Sequence, residues 1–152
     1  MSCTKFMAGL LMLVGSLMAA DLVVGTWNLN ISKSKFSPGP PPQSATVTYE
    51  ESGNGIKRTG QTVNAEGNKT SFEYTAQYDG KEYPITGNPN ADTISLKRVN
   101  DRTVEGTLKK DGKVVTTTRR VVSSDGKTMT LTITGTNAQG QKVKNVQVFE
   151  KQ

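Results

Sequence analysis

Hydrophobic and polar residues alternate one by one along several short stretches of this chain. In residues 71–78, apolar or aromatic side chains occupy every second position, and serine, threonine, glutamate or glutamine occupies the positions between them. In residues 128–134, apolar side chains alternate with threonines. A period of two residues is typical of a β-strand with one buried face, and no stretch shows the period of an amphipathic helix. The pattern therefore predicts an all-β protein.

Turn-forming residues divide the chain into short segments. Asp79-Gly80-Lys81, Asp111-Gly112-Lys113 and Asp125-Gly126-Lys127 are predicted hairpin turns, because glycine and aspartate tolerate positive φ angles. With the other turn signals they predict ten strands, at residues 23–31, 45–51, 56–63, 69–78, 81–86, 93–99, 103–109, 113–122, 127–135 and 142–151. Strands joined by tight turns pair antiparallel with their neighbours in sequence.

An antiparallel sheet of this kind has two exposed edges unless it closes on itself, so we expect an up-and-down β-barrel. Hydrophobic residues make up only 34% of the sequence, which is low for a domain with a solid core. The lumen of a barrel with this strand number is wider than its own side chains easily fill. A cavity for a small molecule is therefore expected.

Residues 1–20 have the pattern of a secretory signal peptide. Lys5 precedes an apolar run over residues 6–18, and Ala19-Ala20 follow it. The run is too short for a permanent membrane helix, which needs about 20 residues. We therefore expect an exported protein, periplasmic or extracellular, with a single domain over residues 21–152 and no integral membrane segment. An uncleaved N-terminal anchor is the alternative interpretation.

Side chains for common catalytic chemistry are scarce. The chain has no histidine, and its single cysteine, Cys3, lies in the signal segment. The usual general base, the thiol nucleophile and the commonest zinc ligands are therefore missing, and we expect neither a metal site nor a cofactor. Glu50 and Glu51 are adjacent on a strand and point to opposite faces, so they cannot act on one substrate. An enzyme is not expected.

Residues 113–122 leave open which arginine faces inward. Either Arg119 or Arg120 shares a face with valines, depending on the register. The net charge of +6 comes without a basic groove interleaved with aromatic residues, so no nucleic-acid partner is expected. We expect a monomer.

The sequence Gly25-Thr26-Trp27-Asn28-Leu29 resembles the Gly-x-Trp start of the lipocalin and fatty-acid-binding-protein (calycin) superfamily. Residues 111–151 resemble the last hairpins of the fatty-acid-binding proteins. As a whole, the chain is similar to small exported bacterial proteins of uncharacterised role. The resemblance implies a ligand-binding barrel, and Trp27 is expected to plug one end of it.

The resemblance also implies where a ligand carboxylate would bind. In the family it is held by an inward arginine on the third strand from the end, which corresponds to Arg119, and by an Arg-x-Tyr pair on the last strand. The positions of that pair fall on Gln147 and Phe149, so bidentate capture of a carboxylate there is lost. Residues 32–44 contain too many prolines for the family's helical lid, and a stiff loop is expected instead.

The leading hypothesis is that the lumen binds a small apolar or amphipathic ligand, with Arg119 as its polar anchor. The expected wall residues are Phe72, Tyr74, Tyr78, Leu131 and Phe149. Two alternatives stay open. Arg119 could pair with Glu73 or Glu105 while the aromatic residues fill the barrel. The protein could also be a non-enzymatic structural or surface-interaction protein of the cell envelope, with a filled barrel.

Overall fold

The computed structural model describes residues 21–152, and every regular element in this range is a β-strand. The predicted signal segment, residues 1–20, lies outside the described residues. Among those that are described, no helix has the length and apolar character needed to cross a membrane. The all-β class predicted from the alternating pattern is confirmed.

Ten strands follow one another along the chain. They are β1 (Gly25–Lys35), β2 (Ser44–Ser52), β3 (Gly55–Val63), β4 (Lys69–Gln77), β5 (Asp79–Thr86), β6 (Thr93–Asn100), β7 (Thr103–Lys110), β8 (Lys113–Val122), β9 (Thr128–Thr136) and β10 (Lys142–Lys151). Each strand pairs antiparallel with the next, and β1 also pairs with β10. The sheet is therefore a closed up-and-down barrel, as predicted.

Strand β1 is longer than the sequence predicted, because it passes Ile31 and ends at Lys35. Its pairing with β10 shifts register between Asn30 and Lys35. In this gap the hydroxyl of Ser34 accepts a hydrogen bond from the N–H of Val148 at 2.9 Å and donates one to the carbonyl of Asn30 at 2.6 Å. A side chain thus replaces a backbone group in the ladder, which alternation along the sequence does not reveal.

The predicted hairpin turns differ in how tightly they join their strands. Asp111 and Gly112 both have positive φ, 50° and 77°, as a tight two-residue hairpin between β7 and β8 requires. The turn predicted at Asp79-Gly80-Lys81 is not a tight one, because these residues belong to β5, and β4 and β5 pair at only two positions. The barrel is consequently loosest along the β4–β5 seam.

One end of the barrel is closed by residues 21–24 and a layer of buried side chains, and we call this end the floor. Trp27 is completely buried there, and its indole N–H donates to the carbonyl of Val23 at 2.7 Å. The core cluster that contains Trp27 also includes Ile56, Ala76, Val122, Met129 and Phe149. Trp27 therefore plugs one end of the barrel, as expected.

A bulge in β8 decides which side chains of this strand face inward. The pairing of β8 with β7 leaves Val115 without a partner. Because side chains alternate between faces, one extra residue reverses the face of every later position. Gly135 in β9 stands beside the bulge, where a Cβ would overlap the carbonyl oxygen of Val115. The inward positions of β8 after the bulge are Thr116, Thr118 and Arg120.

Candidate functional site

The barrel encloses a cavity of about 280 Å³ above the floor. Its wall is mainly apolar and includes Val47, Phe72, Leu96, Leu131, Ile133 and Phe149. Pro42, Asn88 and Asn90, from loops at the end opposite the floor, also line the cavity. We call this opposite end the mouth. The side chains of the barrel therefore leave part of the lumen empty.

Arg58 in β3 lines the cavity with only 7% of its surface exposed. Its guanidinium carbon lies 4.2 Å from the centroid of the Phe72 ring, and its Nε donates to the hydroxyl of Tyr49 at 3.2 Å. Gly60 leaves room for this side chain, since a Cβ there would lie 3.2 Å from Nη1 of Arg58. Within the described residues, the buried Nη1 has no hydrogen-bond partner. A donor left in this state costs about 1–3 kcal/mol.

Arg120 in β8 is the second guanidinium at the cavity, and 5% of its surface is exposed. Its guanidinium carbon lies 4.9 Å from the centroid of the Tyr49 ring, and Nη2 donates to the hydroxyl of Tyr78 at 3.1 Å. Burial acts to lower the pKa of Arg120, but the surrounding tyrosines outweigh it and the pKa is raised. The guanidinium therefore stays charged.

Arg119 lies on the outer surface, so the prediction that it faces the lumen is wrong. Its Nη1 pairs with Oε1 of Glu105 at 2.6 Å, and about half of each side chain is exposed to solvent. Pairing with Glu105 was one of the alternatives that the sequence left open, but the pair lies outside the barrel. The bulge at Val115 is the physical reason, because it turns Arg120 to the inner face instead.

Tyr49 in β2 lies between the two buried guanidiniums. The centroid of its ring is 5.8 Å from the guanidinium carbon of Arg58 and 4.9 Å from that of Arg120. Burial acts to raise the pKa of the Tyr49 phenol, but the two positive charges outweigh burial, and the pKa is lowered from its ordinary value of 10.0. The hydroxyl of Tyr49 therefore lies in a positive electrostatic potential. We call the part of the cavity bounded by Tyr49, Arg58 and Arg120 its base.

A hydrogen-bonded chain connects the cavity with the floor. The hydroxyl of Tyr78 accepts from Arg120 and donates to Oδ2 of Asp21 at 2.7 Å, and the same carboxylate pairs with Arg98 at 2.7 Å. Burial acts to raise the pKa of Asp21, but the hydrogen bonds from Tyr78 and Arg98 outweigh it and the pKa is lowered. Asp21 therefore remains ionised and reaches Arg120 through one tyrosine hydroxyl.

Most of the predicted wall residues are brought together at the cavity. Phe72, Tyr74, Leu131 and Phe149 line it, as does Gln147. Tyr78 does not line it; its ring packs against the core and its hydroxyl belongs to the chain that leads to the floor. A role of these side chains in ligand binding stays a prediction.

Tyr49 and Arg58 were missed by the sequence analysis. The inward positions of β3 are Ile56, Arg58, Gly60 and Thr62, and only Ile56 is strongly apolar, so the alternation of this strand is hidden. The available signal was the glycine-rich turn after β2. The hairpin that it closes pairs Tyr49 directly with Arg58 and so places both on one face.

The cavity combines an apolar wall with two cations and no anion. No carboxylate is among the side chains that line it. Across residues 21–152, no group of three or more carboxylate, imidazole or thiol side chains is placed to hold a metal ion. This arrangement can complement a molecule that has an apolar part and an anionic part.

No protein-family model matches this sequence, and no curated protein matches it. Among solved structures, it is similar to the zebrafish ileal bile acid-binding protein complexed with cholic acid, with a TM-score of 0.50 and 13% identity over 86% of this chain and 99% of that one. It is also similar to Rv2717c from M. tuberculosis, with a TM-score of 0.58 and 14% identity over 90% of this chain and 96% of that one.

At such low identity these likenesses concern the fold alone. Together with the closed barrel of ten strands, they show that the chain has a calycin-like fold. The resemblance seen at Gly25-Thr26-Trp27 is confirmed at this level.

Proposed function

We propose that this protein is a binding protein whose barrel holds a small amphipathic ligand. The observation that carries the proposal is the cavity of about 280 Å³, which has an apolar wall and ends on the buried guanidiniums of Arg58 and Arg120. An apolar group would replace water along the wall, and an anionic group would provide the partner that Nη1 of Arg58 lacks. The bile acid-binding neighbour supports this use of the fold.

In this proposal, Arg120 takes the anchoring role that the sequence analysis gave to Arg119. The second cation comes from Arg58 in β3, and no cation comes from β10, where Gln147 and Phe149 face the cavity. Binding is proposed rather than catalysis because no carboxylate, histidine or cysteine lines the cavity.

We also propose that the protein is exported and acts as a monomer outside the cytoplasm. The signal-peptide pattern of residues 1–20 supports export. Asp21, the first residue after the predicted signal segment, takes part in the floor through Tyr78 and Arg98, so cleavage after Ala20 would leave the floor complete. Native mass spectrometry of protein recovered from the periplasmic and culture fractions would test this. We expect a monomer with the mass of a chain that begins at Asp21, and a dimer or an uncleaved chain would contradict the proposal.

The test of binding uses anilinonaphthalene sulfonate, a fluorescent probe with an apolar ring system and one anionic group. Thr116 faces the cavity from β8, whereas its neighbour Thr117 faces outward and hydrogen-bonds the hydroxyl of Thr134 at 2.9 Å. Thr116→Trp should fill the cavity and weaken binding by about tenfold or more, the loss expected when apolar contacts worth about 1.4 kcal/mol are blocked. Thr117→Trp should bind like the natural protein. Absence of binding by the folded natural protein would exclude the proposed function.

A further inference from the structure

We propose that the polar group of the ligand is a phosphate monoester on an apolar chain, held at the base of the cavity by Arg58, Arg120 and Tyr49. This inference rests on the proposed function and specifies the chemistry of the ligand. The charge, the hydrogen-bond donors and the apolar wall of the cavity each contribute to it.

The positive charges at the base of the cavity favour an anion with two negative charges. Arg58 and Arg120 face the cavity, and no carboxylate lines it. Asp21 reaches Arg120 only through Tyr78, and it already pairs with Arg98. Three guanidiniums therefore share one carboxylate, which leaves two positive charges without a partner. A carboxylate or a sulfate ester would neutralise one of them, whereas a phosphate monoester carries about −1.5 to −2 charges at pH 7.

The hydrogen-bond donors around this point also fit a phosphate. Nη1 of Arg58 is buried and has no partner in the part of the chain that the structure describes. Nε of Arg58 donates to the oxygen of Tyr49, so the O–H of Tyr49 is left to donate elsewhere. The guanidinium of Arg120 borders the same ring at 4.9 Å. These three donor groups lie around the Tyr49 ring, and a phosphate monoester presents three terminal oxygens, one more than a carboxylate.

The electrostatic potential at Tyr49 also favours an anion with two negative charges. Burial alone would raise the pKa of this phenol, yet Arg58 and Arg120 hold it below its ordinary value. A positive potential that stabilises a buried phenolate also stabilises a phosphate dianion at the same place. A phosphate dianion bound there should therefore raise the pKa of Tyr49 back toward its ordinary value.

The wall above the arginines indicates that the phosphate is attached to an apolar chain. Phe72, Leu131 and Ile133 line the cavity between its base and the mouth. Inorganic phosphate would leave this surface in contact with water, whereas the chain of an alkyl ester would bury it. Burial of apolar surface stabilises a complex by about 25 cal/mol per Å². A phosphate monoester of a lipid-like alcohol matches both parts of the cavity.

Isothermal titration calorimetry with four probes of equal chain length tests the inference: octyl phosphate, octyl sulfate, octanoate and octanol. Octyl phosphate should bind about tenfold or more tightly than either monoanion at pH 7.5, because it gains a second charge-assisted hydrogen-bonded contact. Inorganic phosphate should bind more weakly than octyl phosphate by a similar factor. If inorganic phosphate bound equally well, the apolar chain would be excluded.

Two arginine variants locate the site. Arg58→Met keeps an unbranched side chain of similar length and should remove the preference for octyl phosphate over octyl sulfate while octanol still binds. Arg119→Met is the matched control on the outer surface, where the side chain pairs with Glu105, and it should keep the preference. Equal preference in the two variants, with near-ultraviolet circular dichroism showing that both are folded, would overturn the assignment.

A pH series on the natural protein does not depend on any variant. The second proton of a phosphate monoester binds with a pKa near 6, so the advantage of octyl phosphate over octyl sulfate should disappear between pH 7.5 and pH 5. The groups that face the base are tyrosines, arginines and one carboxylate: Tyr49, Arg58, Tyr74, Tyr78, Arg98, Arg120 and Asp21. Octyl sulfate stays a monoanion over this pH range, so the ratio of the two affinities follows the second ionisation of the phosphate.

The outcomes separate the two proposals. If octyl phosphate binds no better than octyl sulfate and octanoate while all of them bind, the phosphate inference is wrong and the amphipathic ligand stands. If neither octanol nor any of the anions binds the folded protein, the proposed function fails.

Discussion

Arg58 and Arg120 are permanent cations that the barrel holds almost out of contact with water. Aromatic rings rather than carboxylates surround them: Phe72 lies 4.2 Å from Arg58, and Tyr49 lies 4.9 Å from Arg120. Such cation–π contacts stabilise a buried guanidinium by about 2 kcal/mol without neutralising it. The charge therefore stays available to a ligand.

Which of the two arginines in β8 faces this cavity could not be predicted from the sequence. Arg119 and Arg120 are adjacent and chemically identical, so their faces depend on a backbone irregularity several residues earlier. Apolar wall residues such as Phe72 and Leu131 could be predicted because their neighbours on the other face are polar. Buried polar residues such as Arg58 give no such contrast.

Asp21 provides a test of the floor at the scale of one residue. Its pKa is lower in the folded protein than the ordinary 3.8, so its contribution to stability is complete above pH 3.8 and is lost as the pH falls through the folded value. We expect Asp21→Asn to lower the free energy of unfolding by about 1–2 kcal/mol at pH 7, as loss of hydrogen bonds to a charged group does. Urea unfolding at several pH values measures this.

The difference between Asp21→Asn and the natural protein should shrink at pH 3 and below. Asp101→Asn is the control, because Asp101 is exposed at the turn between β6 and β7. An Asp21→Asn penalty that is the same at pH 3 and pH 7 would contradict the role of this carboxylate.

At the scale of the strands, the sequence predicted the existence and order of all ten because alternation and glycine-containing turns act locally. Irregularities within strands were not predicted. In β8, Val114 and Val115 are both apolar and three threonines follow, so no contrast marks the bulge. Its signal lies on the neighbouring strand, at Gly135, where only glycine leaves room for the carbonyl of Val115.

Gly135→Ala is therefore expected to destabilise the β8–β9 pair. The added Cβ would lie 2.8 Å from Cα of Thr116 and would overlap the carbonyl of Val115, so the bulge must shift. A cost of about 1–3 kcal/mol is expected from such overpacking, measured by urea unfolding. In the control Gly80→Ala the new methyl group meets no atom within 4 Å, and only the positive φ of 75° opposes it. A smaller effect at Gly135 than at Gly80 would show that the bulge is not held by the glycine.

At the scale of the molecule, closure of the sheet produces both the stability and the cavity. Strand β10 completes the barrel by pairing with β9 along its length and with β1 on the other side. Closure could be predicted, because an open sheet with this many strands would expose two edges. The size of the cavity could not, since it depends on how far side chains such as Arg58 and Tyr49 reach across the lumen.

Removal of residues 142–152 should open the barrel. Strands β1 and β9 would then each present an unpaired edge, and we expect the truncated chain to form oligomers that elute early in size-exclusion chromatography. Addition of a synthetic peptide of residues 142–152 should restore the monomer by occupying the vacant position. A truncated chain that stays monomeric and still binds the fluorescent probe would contradict the need for closure.

The position of Trp27 in the floor separates its fluorescence from the absorption of tyrosine at the cavity, so the molecule has two optical reporters. It is the only tryptophan in the sequence, it is completely buried in the floor, and it is not among the residues that line the cavity. Its fluorescence emission therefore reports whether the floor is folded. The phenol of Tyr49 borders the lumen, where two guanidiniums outweigh burial and lower its pKa, and a phenol absorbs in its own spectral range when it ionises. Loss of structure and occupancy of the lumen can thus be recorded at different wavelengths in one unlabelled sample.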